Sequence, residues 1–152
     1  MGDVREGIIA GFIATIVLTV AMLAQNAAAY WPDVNFISML QSASGTQGSP
    51  AMAWVLHFII GGVAWGGLFA VFSPHLPGPH WLRGLIFGLL AWLAMMVAFL
   101  PAASMPMFAR GLPNASDIIQ VTLGLHLLFG VVMGEVYDLL LRYMPSEVDE
   151  NA

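Results

Sequence analysis

Four long stretches of the chain are almost wholly apolar, and shorter polar stretches separate them. The apolar segments cover residues 7–30, 51–72, 82–100 and 118–141; between and after them lie connections at 31–50, 73–81 and 102–117 and a tail at 142–152. A helix needs roughly 20 residues to cross the hydrocarbon core of a bilayer, and each apolar segment is about that long. The pattern predicts an all-α membrane protein, a single integral domain with a four-transmembrane-helix bundle.

The first connection, residues 31–50, is longer than most loops between helices. It carries an apolar patch, Phe36-Ile37-Ser38-Met39-Leu40, which we expect to form a short interfacial helix or to fold over the end of the bundle. The connection 73–81 is short and rich in Pro and Gly, so the second and third helices are expected to be adjacent and antiparallel. Pro74 and Pro101 are expected to end those two helices.

Two short signatures recur in the same order along the chain. The odd-numbered segments each open with an arginine and two glycines, which are Arg5, Gly7 and Gly11 in the first and Arg83, Gly84 and Gly88 in the third. The even-numbered segments each carry a histidine with a glycine one helical turn later, which are His57 with Gly61 and His126 with Gly130. This recurrence predicts a bundle built from two parallel two-helix repeats. Glycines at this spacing let helix backbones approach closely in lipid.

Composition agrees with a membrane protein and excludes several functions. The chain is 59% hydrophobic and 9% charged, with a mean hydropathy of +0.84, whereas soluble domains carry about 25% charged residues. The absence of cysteine excludes disulfides, thiolate metal sites and iron–sulfur clusters. Four arginines and no lysine leave no basic patch for nucleic acid. With no room for a soluble catalytic domain, we predict no enzymatic activity.

The arginines near the ends of the segments indicate the orientation. Arg5, Arg83 and Arg142 fall on one side of the predicted bundle and Arg110 on the other. Because basic residues concentrate on the cytoplasmic side, both termini are predicted to be cytoplasmic. The competing interpretation of the first segment is a signal peptide cleaved near residues 27–29. That segment exceeds the roughly 7–15 apolar residues of a signal peptide, so a transmembrane helix is favoured.

His57 and His126 are the candidate functional residues, because ionisable side chains inside a membrane are costly and usually face the bundle interior. One interpretation of both residues is structural. Each imidazole then hydrogen-bonds a backbone carbonyl or a hydroxyl, the candidate hydroxyls being those of Thr15, Thr19 and Thr122.

A second interpretation of the histidines is that they bind a cofactor. One imidazole from each of two helices, with Gly61 and Gly130 clearing space for a flat ring, is what a bis-histidine haem b requires. A contact to a metal ion or a quinone is the third interpretation.

Other side chains offer less specific chemistry. Met105 and Met107, with Met39 and Met52 on the same face, supply thioethers that suit Cu(I). Met is common in membrane helices, so packing is the competing interpretation.

Near the inner ends of the helices, the charged and imidazole groups have ordinary explanations. Asp138 and Arg142 are four residues apart, which predicts an ion pair on one face of the fourth helix. His75 and His80 lie in the Pro-rich connection and are expected to be solvated.

Three stretches together resemble a known family. They are Trp54-Val55-Leu56-His57-Phe58-Ile59-Ile60-Gly61, the Arg83-Gly84 start with Gly88, and Leu125-His126 to Gly130. They are similar to an uncharacterised family of small four-helix membrane proteins of bacteria and archaea, over most of the chain. The resemblance implies four spans in a prokaryotic inner (cytoplasmic) membrane. That family has no assigned reaction.

Taken together, the sequence predicts a non-enzymatic accessory or structural subunit of a larger membrane complex, with other membrane subunits and the lipid bilayer as its partners. The first alternative is a haem b or metal-binding electron-transfer protein with His57 and His126 as axial ligands. The second is a pathway for a small solute or ion through a homo-oligomer.

Overall fold

The computed structural model describes residues 3–28 and 35–143, and within these ranges the secondary structure is helical, with no strand. Its main elements are α1 (Val4–Ala28), α2 (Phe36–Ser44), α3 (Pro50–His75), α4 (His80–Ala102) and α5 (Ala115–Tyr143). All but α2 are long and apolar enough to cross a membrane. The predicted all-α architecture with four membrane-spanning helices is therefore confirmed.

The apolar patch of the first connection forms α2, a helix whose two ends are capped by local sequence. The side chain of Asn35 accepts a hydrogen bond from the backbone N–H of Ser38 at 3.0 Å, and Gly45 ends the helix in the left-handed region with φ of 72°. Leu40 is buried and Phe36 packs against a buried cluster of the bundle. Of the two expected placements, α2 thus takes the one over the end of the bundle.

Both α3 and α4 contain a π-helical turn. In α3 the π-helix covers Ile59–Trp65 between α-helical stretches, and the last turn is a 3-10 turn at Ser73–His75. In α4 the π-helix covers Met95–Phe99. A π-turn inserts one extra residue and widens the helix locally. Helix α3 is therefore wider than a regular α-helix near its middle, and α4 is wider near its end.

Helix α4 ends at Ala102, one residue beyond Pro101, and α3 ends at His75, one residue beyond Pro74, so both helices end close to the proline that was expected to end them. Inside a helix, a proline lacks the N–H donor and its ring crowds the carbonyl four residues earlier. In the π-turn just before Pro101, the N–H of Leu100 donates to the carbonyl of Met95, five residues back. This wider turn gives the proline ring the space that a regular α-helix lacks.

The four long helices pack unequally. Helix α1 packs closely against α3 and α5, and α4 packs closely against α5. Helices α3 and α4, expected to be adjacent, meet through aromatic rings: Phe87 lies 5.9 Å from Trp65 and 5.4 Å from Phe69 between ring centroids. A gap therefore remains between the backbones of α3 and α4.

Glycines make the two tightest helix pairs possible. In the α1–α3 pair, a Cβ atom added to Gly7 would lie 2.5 Å from the carbonyl oxygen of Gly66. In the α4–α5 pair, a Cβ atom on Gly84 would overlap the carbonyl oxygen of Gly130. Backbone thus rests directly on backbone at both places, as the glycine spacing predicted. The organisation into two repeats stays a prediction.

Two glycines of α5 provide a matched test of this packing. A Cβ atom on Gly130 would overlap the Gly84 carbonyl oxygen and lie 3.0 Å from the Gly88 Cα atom, whereas one on Gly124 would meet nothing within 4 Å. We expect Gly130→Ala to lower the free energy of unfolding in detergent by roughly 1–3 kcal/mol, because α4 and α5 must move apart.

The control, Gly124→Ala, should be neutral or stabilising by up to about 1 kcal/mol, because alanine favours the helix. Equal effects of the two substitutions on the unfolding midpoint would contradict the close α4–α5 contact.

Candidate functional site

His57 of α3 and His126 of α5 line one cavity of about 520 Å³. All five helices contribute to its wall. The side chains that line it are mostly apolar, and the polar ones are Thr15, His57, Thr122 and His126. The structure therefore brings both candidate residues to one space inside the bundle.

The cavity occupies the gap between α3 and α4, and the π-turns of both helices face it. The residues that these turns contribute are Ile60, Gly61 and Trp65 from α3, and Met95, Ala98 and Phe99 from α4. Single π-turns within α-helices frequently mark functional sites. Here they widen the two helices where they border the cavity.

The two ends of the cavity are closed in different ways. Phe36 and Leu40 of α2 cover one end, which we call the α2 end. Toward the opposite end, which carries Asp3 and Tyr143 and which we call the terminal end, the bundle is filled by a buried apolar cluster that includes Phe69, Phe87, Phe129 and Met133. The cavity is thus an apolar chamber beneath α2.

The hydrogen bond of His126 defines which of its nitrogens carries the proton. Its Nδ1 lies 2.7 Å from the backbone carbonyl oxygen of Thr122, one helical turn earlier. A carbonyl can only accept, so Nδ1 is the protonated nitrogen and donates. The neutral imidazole then carries a bare Nε2, which is an acceptor.

The hydrogen bond of His57 leads to the opposite tautomer. Its Nε2 lies 3.1 Å from the hydroxyl of Thr19, and that hydroxyl donates its only proton to the carbonyl of Thr15 at 2.7 Å. The Thr19 oxygen must therefore accept, and Nε2 of His57 must donate. The neutral His57 imidazole is left with a bare Nδ1, again an acceptor.

Both structural hydrogen bonds expected from the sequence are present, with partners chosen from the expected set. His57 uses the hydroxyl of Thr19, and His126 uses the carbonyl of Thr122 rather than its hydroxyl. The Thr15 hydroxyl donates to the carbonyl of Gly11 instead. In the part of the chain that the structure describes, the second nitrogen of each imidazole has no hydrogen-bond partner.

The sequence reasoning missed Trp92, whose Nε1–H donates to the hydroxyl of Thr122 at 3.0 Å. The Thr122 hydroxyl in turn donates to the carbonyl of Ile118. These bonds tie α4 to the turn of α5 that holds His126. The signal available in the sequence was that a tryptophan within a membrane span needs a partner for its N–H.

The two histidines do not occupy equivalent places in their helix pairs. The carbonyl of His126 lies against Gly88, whereas Gly11, the sequence counterpart of Gly88, lies against the carbonyl of Gly62. His57 precedes Gly62 by five residues, which is about 7 Å along a helix at about 1.5 Å per residue. His57 therefore faces the cavity nearer the α2 end than His126 does.

The glycines beside the histidines make close helix contacts. A Cβ atom on Gly61 would overlap the Thr15 hydroxyl, and one on Gly130 would overlap the Gly84 carbonyl. Gly61 also lines the cavity. Both glycines thus have the packing role that the sequence analysis considered alongside cofactor clearance.

The methionines of the Cu(I) hypothesis lie outside the cavity. Met39 and Met105 pack against the same buried cluster, while Met52 and Met107 are 49% and 53% exposed. Among the described residues, no group of three or more His, Cys, Asp or Glu side chains is placed to hold a metal ion.

A second polar group lies at the terminal end of the bundle. Asp138 contacts His80 Nδ1 at 2.8 Å and Arg142 Nη2 at 2.6 Å. The predicted Asp138–Arg142 pair is confirmed, but the prediction that His80 is solvated is wrong, because the short turn brings the start of α4 against α5. His75 is exposed, as expected.

The opposed tautomers can be measured directly. In ¹⁵N-histidine-labelled protein in nanodiscs at neutral pH, we expect His126 to be protonated on Nδ1 and His57 on Nε2, each as a neutral ring. Thr19→Val should abolish the single tautomer of His57, because its hydrogen-bond partner is gone, and leave His126 unchanged. The same tautomer at both residues would contradict the hydrogen-bond assignment.

Comparison with known proteins gives a family and no activity. The model of a family of unknown function, DUF6789, matches residues 1–147. No curated protein and no solved structure matches the chain. The resemblance to an uncharacterised family is thereby confirmed, and the chain belongs to the DUF6789 family.

Proposed function

We propose that the protein is a non-enzymatic membrane protein that binds a small apolar molecule in the cavity between its helices. The observation that carries this proposal is the chamber of about 520 Å³ with two imidazoles in an otherwise apolar wall. Small-molecule sites typically measure about 300–1,000 Å³ and combine an apolar lining with a few polar groups that orient the ligand. Size and lining both fit that description.

The surface around the cavity supports entry of the ligand from the bilayer. Three alanines of α4 that line the cavity, Ala94, Ala98 and Ala102, are exposed, and so is Ile60 of α3. These residues border the gap between α3 and α4, where small side chains leave the chamber open. A molecule dissolved in lipid reaches the imidazoles through this gap without crossing a polar surface.

Filling the opening tests the proposal. In nanodiscs, we expect 1,4-dibromobenzene to quench tryptophan fluorescence in a saturable way, because Trp65 lines the cavity and bromine quenches indole at contact. Ala98→Phe should remove the saturable component, because the phenyl ring occupies the chamber.

The matched control is Ala24→Phe, at an exposed position of α1 that does not line the cavity. Its tryptophan fluorescence should be quenched as in the wild type. Non-saturable quenching that is identical in all three proteins would reflect partition into lipid and would contradict the proposal.

We place this binding role in an accessory or structural subunit of a larger membrane complex. The described connections outside the spans are small, consisting of α2, short turns and a 3-10 turn at Met107–Ala109. The faces of the spans, which carry most of the exposed large hydrophobic side chains among the described residues, are then the surfaces that we expect other subunits to contact.

Mild-detergent extraction from native membranes should therefore yield a complex much larger than the 16.3 kDa chain, containing other gene products by mass spectrometry. Recovery only as a monomer or homodimer would contradict the accessory role.

A haem b role uses the same two residues. The hydrogen bond from His126 to the Thr122 carbonyl fits a haem-ligand role, because a ligating histidine commonly donates its other ring N–H to a carbonyl. The difference in depth between His57 and His126 suits it less, since two axial ligands must approach one iron from opposite sides. A b-type absorption spectrum of the purified protein, lost in His126→Leu, would favour haem over the proposed ligand.

A solute or ion pathway through one chain has less support. The buried rings of Phe69, Phe87 and Phe129 fill the bundle between the cavity and the terminal end. A pathway would then have to form between chains of a homo-oligomer.

The proposed location is a prokaryotic inner membrane, as the resemblance to small four-helix membrane proteins of bacteria and archaea implies. The arginine distribution favours both termini in the cytoplasm. The natural chain has no cysteine, so a single introduced cysteine is the only thiol in the protein that a labelling reagent can modify. Cysteines introduced at Ser44 and Asn114 should react with an impermeant thiol reagent on intact cells.

A cysteine introduced at the exposed His75 position should be protected until the cells are opened. The reverse pattern would invert the orientation.

A further inference from the structure

The tautomers of the two histidines restrict the chemistry of the ligand, if the cavity binds one as proposed above. Thr19 holds the proton of His57 on Nε2, and Thr122 holds the proton of His126 on Nδ1. Each neutral imidazole therefore keeps one hydrogen-bond acceptor and no free donor, and both rings line the cavity. A ligand that pairs with both must itself supply two donors.

The apolar wall restricts the ligand further. Aromatic side chains contribute much of it, namely Phe36, Trp65, Phe99 and Phe129. Flat rings pack well against such side chains. The gap between α3 and α4 opens toward lipid, which suits a molecule that partitions into the bilayer.

We propose that the cavity is a binding site for a hydroquinone, a flat apolar ring with two para hydroxyl groups. One hydroxyl donates to Nδ1 of His57 and the other to Nε2 of His126. Para hydroxyls lie at opposite ends of the ring, and the two histidines face the cavity at different depths, so the ring lies lengthwise along the bundle. The exposed alanines of α4 leave room for a ring substituent to reach the lipid.

The same arrangement disfavours the oxidised ring. A quinone carries two carbonyl oxygens, and each would face a bare imidazole nitrogen, so acceptor would meet acceptor on both sides. A site built around one hydrogen-bond partner rejects analogues that leave its buried polar groups unpaired. The cavity is therefore expected to prefer the reduced form.

Three tetramethyl-substituted ring compounds separate the possibilities, and the hydroquinone and the quinone among them have nearly the same shape. Tetramethyl-1,4-hydroquinone has two donors, whereas tetramethyl-1,4-benzoquinone and 1,4-dimethoxytetramethylbenzene have none. Binding to the full chain in nanodiscs is measured by equilibrium dialysis under argon, with empty nanodiscs as the partition control. Loss of a net hydrogen bond costs about tenfold in affinity, so the hydroquinone should bind at least about tenfold more tightly than either analogue.

Substitutions at the histidines identify the residues responsible. His57→Phe and His126→Phe each keep a flat ring and remove one acceptor, so each should reduce the preference for the hydroquinone by several-fold. His75→Phe, at an exposed position away from the cavity, should leave the preference unchanged. The wild-type comparison of the three compounds remains decisive if a histidine variant does not fold.

The outcomes distinguish the two proposals. Equal binding of the three compounds, or tighter binding of the quinone, overturns the hydroquinone assignment and leaves an apolar binding site intact. Failure of all three to bind while 1,4-dibromobenzene still quenches in a saturable way also overturns only the assignment. Failure of every compound, dibromobenzene included, overturns the proposed function itself.

Discussion

The close approach of helix backbones at glycine is the contact on which the rest of this structure depends. In lipid, no hydrophobic force draws apolar helices together, so association relies on tight packing and on interhelical hydrogen bonds. Gly7 on Gly66 brings α1 against α3, and Gly84 on Gly130 brings α4 against α5. Since α1 also packs against α5, these two tight pairs leave α3 and α4 as the helices that stand apart. The cavity is the space left between them.

The absence of water from the membrane interior also determines how the polar groups inside the bundle are arranged. Backbone and side-chain polar atoms in a membrane must find partners within the protein. The hydroxyls of Thr15, Thr19 and Thr122 each donate to the carbonyl one turn earlier, a common solution for such residues in helices. This leaves their oxygens free to accept, from His57 in one case and from Trp92 in another. The tautomers of both histidines follow from these bonds and from the Thr122 carbonyl.

Much of the fold and part of the candidate site could be predicted from local sequence. Segment length and hydropathy predict the four spans because they depend on composition alone, and the spacing of Gly84 and Gly88 predicts a close helix contact. The structural hydrogen bonds of His57 and His126 were also predictable, since an imidazole in a membrane needs a partner. Which glycine faces which carbonyl depends on the register between helices, so the unequal depth of the two histidines was not predictable from their matching sequence contexts.

The π-turns and the polar group at the terminal end could not be predicted from local sequence either, because both depend on how the helices pack against each other. A π-turn is stable only where the widened backbone packs well, and no single residue in Ile59–Trp65 marks it. The contact between His80 and Asp138 joins residues from two helices, and composition of the short connection gives no sign of it.

Magic-angle-spinning NMR of glycine-labelled protein in lipid bilayers can detect the two glycine-packed helix pairs that leave a chamber between α3 and α4. We expect interhelical cross-peaks between Gly84 and Gly130 and between Gly7 and Gly66. Absence of both from a spectrum that resolves these four glycines would contradict the close packing of these helix pairs.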